Sequence, residues 1–422
     1  MLDTGVTAWM LVSASLVLLM TPGLAFFYGG MVRGKSVLNM MMLSFGAMAV
    51  VGVIYVLWGW SMSYGASVGG FFGNPFDQFG LGGSFDPVAY LDDEETLFMP
   101  TIVDVGFQTT FAIITVALIS GALAERIKFS SWLVFSGLWV TFSYFPLAHM
   151  VWGGGLLSSD GPFASIADPI DFAGGTVVHI NAGVAALVLA LIVGKRKGFG
   201  KEPIRPHNLP FVMLGAALLW FGWFGFNAGS AYGANDGAGL AWVNTTTATA
   251  AAILGWLLTE RIRDGKATSL GAASGIVAGL VAITPAAGDV SPIGAIFVGA
   301  VAGVLSALAV GLKYKFGYDD SLDVVGVHLV AGLWGTLALG LVATGERGLF
   351  YGGGFNQLAV QAIIAIIAIA ISAVVTLVLG LIIKLAMGWR VSAEAEERSI
   401  DLAEHGEAAY ETIGARAVSE VK

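Results

Sequence analysis

Long apolar stretches alternate with short polar segments along the whole chain. Eleven of these stretches reach about 20 residues, the length that an α-helix needs to cross the hydrocarbon core of a bilayer. They fall at 8–30, 37–60, 103–124, 131–151, 172–194, 209–229, 242–260, 268–286, 292–312, 324–344 and 358–386. This pattern predicts an all-α membrane protein of eleven transmembrane helices, with a membrane domain over residues 1–386 and a C-terminal tail over residues 387–422.

Composition supports a membrane protein. Hydrophobic residues make up 56% of the 422 positions and charged residues only 12%, whereas soluble domains carry about 25% charged residues. The net charge of −9 argues against a nucleic-acid partner. The chain has no cysteine, which excludes disulfides and thiol chemistry.

The basic residues indicate how the helices cross the bilayer. Of the 20 lysines and arginines, all except Arg347 lie at or beyond the end of an odd-numbered stretch. Because positive residues accumulate on the cytoplasmic side, we expect the N-terminus outside and the tail inside. The predicted location is the cell membrane, inner or plasma, with multiple passes.

A short motif occurs twice. Residues 178–183 read VHINAG and residues 327–332 read VHLVAG, so both copies follow V-H-x-x-A-G. They lie in the fifth and tenth stretches. Five crossings per half is an odd number, so the halves should have opposite orientations in the membrane, with a site at their interface near the midplane. We predict two inverted five-helix repeats, at about 8–194 and about 209–344, plus an extra helix at about 358–386.

The histidines of the two motifs are the deepest titratable residues of the pattern. His179 lies 8 residues past Asp171, about 12 Å along a helix, and His328 lies 5 residues past Asp323, about 7 Å. A neutral imidazole pair in an apolar pore can accept or relay a proton. The alternative is a structural role, in which the rings hydrogen-bond each other or the backbone. No cysteine or carboxylate pattern supports a metal site, and no cofactor is predicted.

Aromatic and small polar residues are predicted to meet at the outer mouth. The segments that contain Phe111, Trp152 and Ser230 should reach the same level. Such aromatics are usually anchors at the membrane interface. Beside a candidate pore, however, a tryptophan face and a serine oxygen would bind a small cation. Phenyl rings at a deeper level would exclude water.

Two aspartates precede the motif histidines. Asp171 is expected to cap the N-terminus of the fifth helix, which stabilises a helix by about 1 kcal/mol. Its charge would also favour a cation in the mouth without ligating it directly. Asp323 is expected to act as the corresponding cap on the inner side.

In these segments the chain resembles the ammonium transporter (Amt/Mep/Rh) family, on its Amt branch. The similarity extends over nearly the whole chain. It includes TPGLAFFYGGMVRGKSVLNM (21–40), FQTTFAIITVALISGALAERIKFS (107–130), AHMVWGGG (148–155), DFAGGTVVHINAG (171–183), GKEPIRPHNLP (200–210), GWFGFNAGSA (222–231), ITPAAG (283–288) and DVVGVH (323–328).

The resemblance implies roles for particular residues. The twin histidines of the family match His179 and His328 in the pore, with Trp223 beside them, and its phenyl gate matches Phe111 and Phe226. Motif position favours Phe111 over Phe107 as the gate. The external cation site matches Trp152, Phe111 and Ser230, together with Asp171. Tyr232, two residues after Ser230, is a local variation near the mouth that could tune selectivity.

The resemblance also implies a function and partners. The expected protein recruits ammonium at the outer site, deprotonates it and conducts ammonia past the histidines, with proton co-movement that makes transport electrogenic. Methylammonium is a further candidate substrate. A homotrimer with one pore per subunit and a PII-type signalling protein at the cytoplasmic face are expected. The alternatives are an ammonium sensor with the same pore and an Rh-type neutral ammonia channel. No catalytic constellation is found, so an enzyme is not expected.

Overall fold

The computed structural model describes residues 2–83, 87–91, 96–202 and 205–410. Residues 411–422 of the predicted tail, with Arg416 and Lys422, lie outside the described residues. Eleven long helices occur in the described part, one for each predicted stretch. They are α1 Thr4–Met31, α2 Val37–Tyr64, α3 Thr101–Leu123, α4 Phe129–Trp152, α5 Gly175–Val193, α6 Leu209–Ala228, α7 Asp236–Asp264, α8 Ser269–Ala286, α9 Pro292–Phe316, α10 Val325–Val342 and α11 Asn356–Ala386.

Helix α7 differs from the others in polarity. The other ten helices are long and apolar enough to cross a membrane. Helix α7 has 29 residues, enough for about 44 Å at 1.5 Å per residue. It buries Asn244, Thr245 and Thr249 against the rest of the molecule and carries charged residues at its C-terminal end. Its position matches the stretch predicted at 242–260, so the fold is consistent with eleven crossings.

Glycines allow α7 to pack closely against α9. A Cβ atom added to Gly299 would lie 2.0 Å from the carbonyl oxygen of Ala248, and one added to Gly303 would lie 2.1 Å from that of Ala252. Both pairs are four residues apart, so small residues on each helix face each other over a full turn. Small residues at this spacing let the backbones of membrane helices approach, which explains part of the high glycine content.

The loop between α2 and α3 contains two short antiparallel hairpins. Strand β1 (Ser67–Val68) pairs with β2 (Phe72–Gly73), and β3 (Pro87–Leu91) pairs with β4 (Thr96–Pro100). In the second hairpin Pro87 lies opposite Pro100. The acidic residues 92–95 at its tip lie outside the described residues.

The basic residues gather at one end of the bundle, which we call the C-terminal face because the tail lies there. Arg33, after α1, pairs with Glu125, after α3, at 2.5 Å. Arg347 belongs to the opposite end, the N-terminal face, where it pairs with Asp289 in the loop between α8 and α9 at 2.8 Å. The uneven distribution predicted from the sequence is therefore present in the fold.

The described part of the tail packs against the C-terminal face. Its helices are α12 (Ala393–Glu397) and α13 (Ile400–His405). The carboxylate of Asp401 accepts hydrogen bonds from the backbone N–H groups of Leu38 (3.0 Å) and Asn39 (2.8 Å), at the start of α2. Glu404 accepts one from the N–H of Phe129, at the start of α4 (2.8 Å). The tail therefore caps two membrane helices, where a negative charge is stabilising.

Candidate functional site

Three predicted site residues lie in π-helical turns. The described part of the chain contains five such segments, and three of them carry site residues. They are Gly175–Ile180 with His179, Val325–Leu329 with His328, and Phe224–Ala228 with Phe226. A π-helical turn inside an α-helix is rare and often found at functional sites. Here the wider turn sets the direction of the side chain at the centre of the molecule.

The glycine of each V-H-x-x-A-G motif makes room for the other motif. A Cβ atom on Gly183 would lie 2.6 Å from both the backbone nitrogen and the Cβ atom of Leu329, the residue after His328. A Cβ atom on Gly332 would lie 2.9 Å from the Cβ atom of His179. Helices α5 and α10 therefore cross at these two glycines. The glycine of the second motif thus lies against His179, and the glycine of the first motif lies against Leu329, the neighbour of His328.

The two motif histidines contact each other in the interior. Their Nδ1 atoms lie 3.3 Å apart, and the ring centroids are separated by 5.4 Å. His179 is 1% exposed and His328 is 2% exposed. Nε2 of His179 has no hydrogen-bond partner among the described residues. This nitrogen is thus available to a small molecule that reaches it.

A hydrogen bond between the two rings requires a proton on one of the two Nδ1 atoms. A hydrogen bond between two Nδ1 atoms needs a donor N–H on one imidazole and a lone pair on the other. In the neutral pair the accepting ring must then carry its proton on Nε2, while the donating ring has a free lone pair on its own Nε2. The pair is therefore directional, with an acceptor at one end and a donor at the other.

Trp223 packs against the histidine pair. Its ring stacks on His179 with centroids 5.5 Å apart and 18° between the planes. The indole Nε1 donates to Oγ1 of Thr284 at 2.8 Å. Because its polar atom is satisfied by α8, Trp223 presents an apolar face to the imidazole.

Two phenyl rings separate the histidines from the N-terminal face. Phe111 and Phe226 stack with centroids 4.0 Å apart and 19° between the planes. Phe226 lies 6.2 Å from the ring of His179. Phe107 packs edge-on against Phe111 at 4.7 Å and does not take part in the stack. At this distance the two rings are in contact and leave no room for water between them.

A cavity of about 440 Å³ lies above the phenyl stack, and we call it the outer cavity. It is lined by Tyr64, Asp104, Gln108, Phe111, Val151, Trp152, Phe172, Ser230 and Tyr232. Trp152 donates its Nε1–H to the carbonyl oxygen of Asp171 (2.9 Å), which fixes the ring orientation. Ser230 donates its hydroxyl to the carbonyl oxygen of Phe226 (2.8 Å), so its oxygen retains acceptor capacity.

Asp171 has a different position from the other predicted site residues. Its carboxylate accepts hydrogen bonds from the N–H groups of Gly174 (2.9 Å), Gly175 (2.5 Å) and Thr176 (2.9 Å) and from the Thr176 hydroxyl. It is not among the residues that line the outer cavity. Burial raises the pKa of Asp171, although these donors oppose the shift. The side chain of Asp171 caps α5, and the backbone carbonyl of the same residue orients Trp152.

The cap of α10 is Asp320, and the prediction that Asp323 fills this role is wrong. Asp320 accepts hydrogen bonds from the N–H groups of Val324 (3.0 Å) and Val325 (2.7 Å). Asp323 has a positive φ of 65° and instead pairs with Lys313 at 2.6 Å.

The sequence contained a signal for the correct cap. Asp171 precedes His179 by 8 residues, and Asp320 precedes His328 by the same 8. Equal spacing in the two repeats therefore indicates Asp320 as the cap, whereas Asp323 is only 5 residues from His328.

Comparisons with known proteins agree on one family. The family model described as Ammonium Transporter Family matches residues 8–410. An ammonium transporter of Mycobacterium tuberculosis is 59% identical over 97% of this chain and 91% of its own length. Among solved structures, a sensor Amt protein aligns with a TM-score of 0.86 and 29% identity, over 95% of this chain and 98% of that one. Mep2 of Saccharomyces cerevisiae aligns with a TM-score of 0.83 and 32% identity, over 93% of this chain and 88% of Mep2.

Proposed function

Because the chain belongs to the ammonium transporter family, a family of transporters and not of enzymes, we propose that it carries ammonium nitrogen across the cell membrane. The N-terminal face is extracellular and the C-terminal face cytoplasmic, as the basic residues indicate. The observation that supports the mechanism best is the order of features along one path. The outer cavity comes first, the phenyl stack second and the imidazole pair third.

Ammonium is held first in the outer cavity. The face of Trp152 attracts the cation, which in desolvated sites is worth about 1–2 kcal/mol, and the edge-on contact of Trp152 with Phe111 (6.1 Å) keeps that face in place. The oxygen of Ser230 accepts an N–H of the ion, since its own proton is donated to Phe226. Asp171 supports this site from a distance by positioning Trp152.

The ion loses a proton before it passes the pore. An unpaired charge in an apolar interior is expensive, whereas neutral ammonia crosses at little cost. The phenyl rings of Phe111 and Phe226 open transiently and admit ammonia to the histidines. The vacant Nε2 of His179 is the first nitrogen beyond the stack, so it either donates to or accepts from ammonia according to its tautomer.

The proton released near the gate passes to the vacant Nε2 of His179 while the phenyl rings are open, and it continues along the imidazole pair, which makes transport electrogenic. The Nδ1 contact of His179 and His328 supplies a hydrogen bond between the two halves of the molecule. Potassium is excluded because it has no proton to release and cannot leave its hydration shell at the stack. Methylammonium retains an N–H group that can dissociate, so it is also a substrate. Its methyl group makes it larger than ammonium, so it passes the phenyl stack more slowly.

The active protein is a homotrimer with one pore in each subunit. A PII-type signalling protein binds the C-terminal face. The hydrogen bond from the tail at Tyr410 to His207 in the loop before α6 (2.9 Å) supports this, because it joins the two segments that such a partner would contact.

Current measurements on proteoliposomes test this function. Between about pH 6 and pH 8, we expect an ammonium pulse to evoke a saturable inward current. Potassium should evoke no current, and methylammonium should evoke a smaller current than ammonium. A pH change without current would identify a neutral ammonia channel. Saturable ammonium binding without current or pH change would identify a sensor. Either of these results would overturn the proposed electrogenic transport.

A further inference from the structure

A second group of polar residues lines the outer cavity on the side of α2 and α3. Asp104, Gln108 and Phe111 are spaced by four and three residues, so they share one face of α3. That face leads from a carboxylate to the phenyl stack over about 10 Å, given 1.5 Å per residue. Asp104 is 8% exposed and lines the same cavity as Trp152 and Ser230.

Hydrogen bonds hold this carboxylate in place. The Gln108 Nε2 donates to the Tyr232 hydroxyl at 2.6 Å, and that hydroxyl donates to Oδ1 of Asp104 at 2.9 Å. Tyr232 has a left-handed backbone with φ of 54°, which is unfavourable for a tyrosine. Its ring packs edge-on against Phe107 at 5.8 Å. The chain thus keeps an unfavourable conformation that places the phenol beside the carboxylate.

Two acceptors in this group remain vacant. Among the described residues, Asp104 accepts a single hydrogen bond, at Oδ1, which leaves Oδ2 available. The hydroxyl oxygen of Tyr64, which lines the same cavity, is buried without a hydrogen-bond partner in the described part of the chain. A carboxylate oxygen that faces a cavity from a largely buried side chain is a favourable acceptor for a cation or an N–H donor that enters the cavity. Ammonium supplies both a charge and several N–H donors.

We propose that Asp104, with Tyr64 and Gln108, forms a second cation subsite in the outer cavity, which takes ammonium and methylammonium before they reach Trp152 and Ser230. The carboxylate that faces the substrate is then Asp104, since that of Asp171 is occupied by the N-terminus of α5. The subsite rests on the proposed transport function, because its substrate is the ion that this function moves. It raises the local concentration of the cation and leaves the steps beyond the phenyl stack unchanged.

The test uses substitutions that separate charge from hydrogen bonding. Asp104→Asn removes the charge but keeps an oxygen that can accept from Tyr232, and Asp104→Glu keeps the charge. Tyr232→Phe keeps the charge and removes the hydrogen bond. Asp168→Asn makes the same charge change at an exposed position that does not line the outer cavity.

The readout is the ammonium concentration that gives half the maximal current in proteoliposomes, measured at low and at high ionic strength. For Asp104→Asn we expect a rise of about tenfold at low salt, as for the loss of one nearby charge in a partly hydrated site, with the maximal current retained. High salt should shrink the difference because it screens the carboxylate. The half-saturating ammonium concentrations of Asp104→Glu and Asp168→Asn should stay close to that of the unmodified protein. That of Tyr232→Phe should rise only slightly.

Two outcomes would overturn the subsite. In one, Asp104→Asn leaves the half-saturating concentration unchanged while the unmodified protein conducts ammonium. In the other, Tyr232→Phe has as large an effect as Asp104→Asn, which would make Asp104 a structural partner of Tyr232. A lack of ammonium current in the unmodified protein would instead contradict the transport function itself, so the two failures are distinguishable.

Discussion

Gly332 lies directly against His179, so that a Cβ atom on the glycine would be 2.9 Å from the Cβ atom of the histidine. The contact joins the second repeat to the histidine of the first, and Gly183 makes the reciprocal contact with Leu329. The imidazole pair therefore depends on the glycine of the V-H-x-x-A-G motif as well as on the histidine. It sets the distance at which the two rings meet.

Substitution of Gly183 tests this role. In Gly183→Ala the new methyl group meets the backbone of Leu329 at 2.6 Å, so α10 must move. Overpacking of this kind costs about 1–3 kcal/mol. We expect a lower thermal midpoint in detergent and a reduced ammonium current. Gly106→Ala is the matched control, because a Cβ atom there has nothing within 4 Å. Equal thermal midpoints and equal currents in the two variants would show that Gly183 does not set the distance between the helices.

The outer cavity predicts a graded series at Trp152. Trp152→Phe keeps an aromatic face but weakens it, and Trp152→Leu removes it. Since a cation–π contact contributes about 1–2 kcal/mol in a desolvated site, the half-saturating ammonium concentration should rise in the order tryptophan, phenylalanine, leucine. Concentration–current curves measure this directly. Identical curves for the phenylalanine and leucine variants would show that the aromatic face does not bind the cation.

Much of the fold could be predicted from hydrophobic periodicity. Each of the eleven apolar stretches corresponds to a long helix, because a span of the bilayer requires an uninterrupted apolar run. Helix α7 was the least distinct of them, since its polar side chains are buried inside the molecule. The family resemblance was also predicted, and the family comparison confirms it.

The details of the site were less accessible to sequence reasoning. The prediction that Asp323 caps α10 is wrong, and Asp320 is the cap. Hydrogen bonding to a helix N-terminus depends on the turn geometry and not on proximity in the chain. The engagement of the Asp171 carboxylate by α5 and the exposure of Asp104 to the outer cavity depend on side-chain direction. No sequence pattern records that direction.

Asp320 makes stability dependent on pH. Burial raises the pKa of this carboxyl from 3.8 to about 6, with Asp323 adding to the shift and Lys313 opposing it. The folded state therefore binds the proton more tightly than the unfolded state. The resulting stabilisation is present below pH 3.8 and is lost as the pH rises through about 6.

The variant Asp320→Asn lacks this titration and keeps an oxygen that can cap α10. We expect the thermal midpoint of the unmodified protein to fall relative to that of Asp320→Asn as the pH is raised from 4 to 7, a range of about three units that includes the shifted pKa. Thermal unfolding in detergent at several pH values measures the difference. A constant difference over this range would contradict the assigned direction.

Asp401 is expected to hold the tail on the C-terminal face. It is 1% exposed and caps α2 through the N–H groups of Leu38 and Asn39. Loss of such a cap in Asp401→Ala should cost about 1 kcal/mol and should make the tail more sensitive to limited proteolysis. Glu407→Ala, at an exposed tail position, is the control. Equal cleavage rates in both variants would show that Asp401 does not anchor the tail.

We propose that His179 and His328 carry the proton that accompanies ammonia, and removal of both imidazoles shows whether they do. The measurement is the ammonium-evoked current of the double variant His179→Ala, His328→Ala in proteoliposomes, with potassium as the second cation. His207→Ala, in a loop at the C-terminal face, serves as the control. We expect the double variant to lose the ammonium current or its discrimination against potassium, while the control keeps both. An unchanged current with unchanged discrimination in the double variant would contradict it.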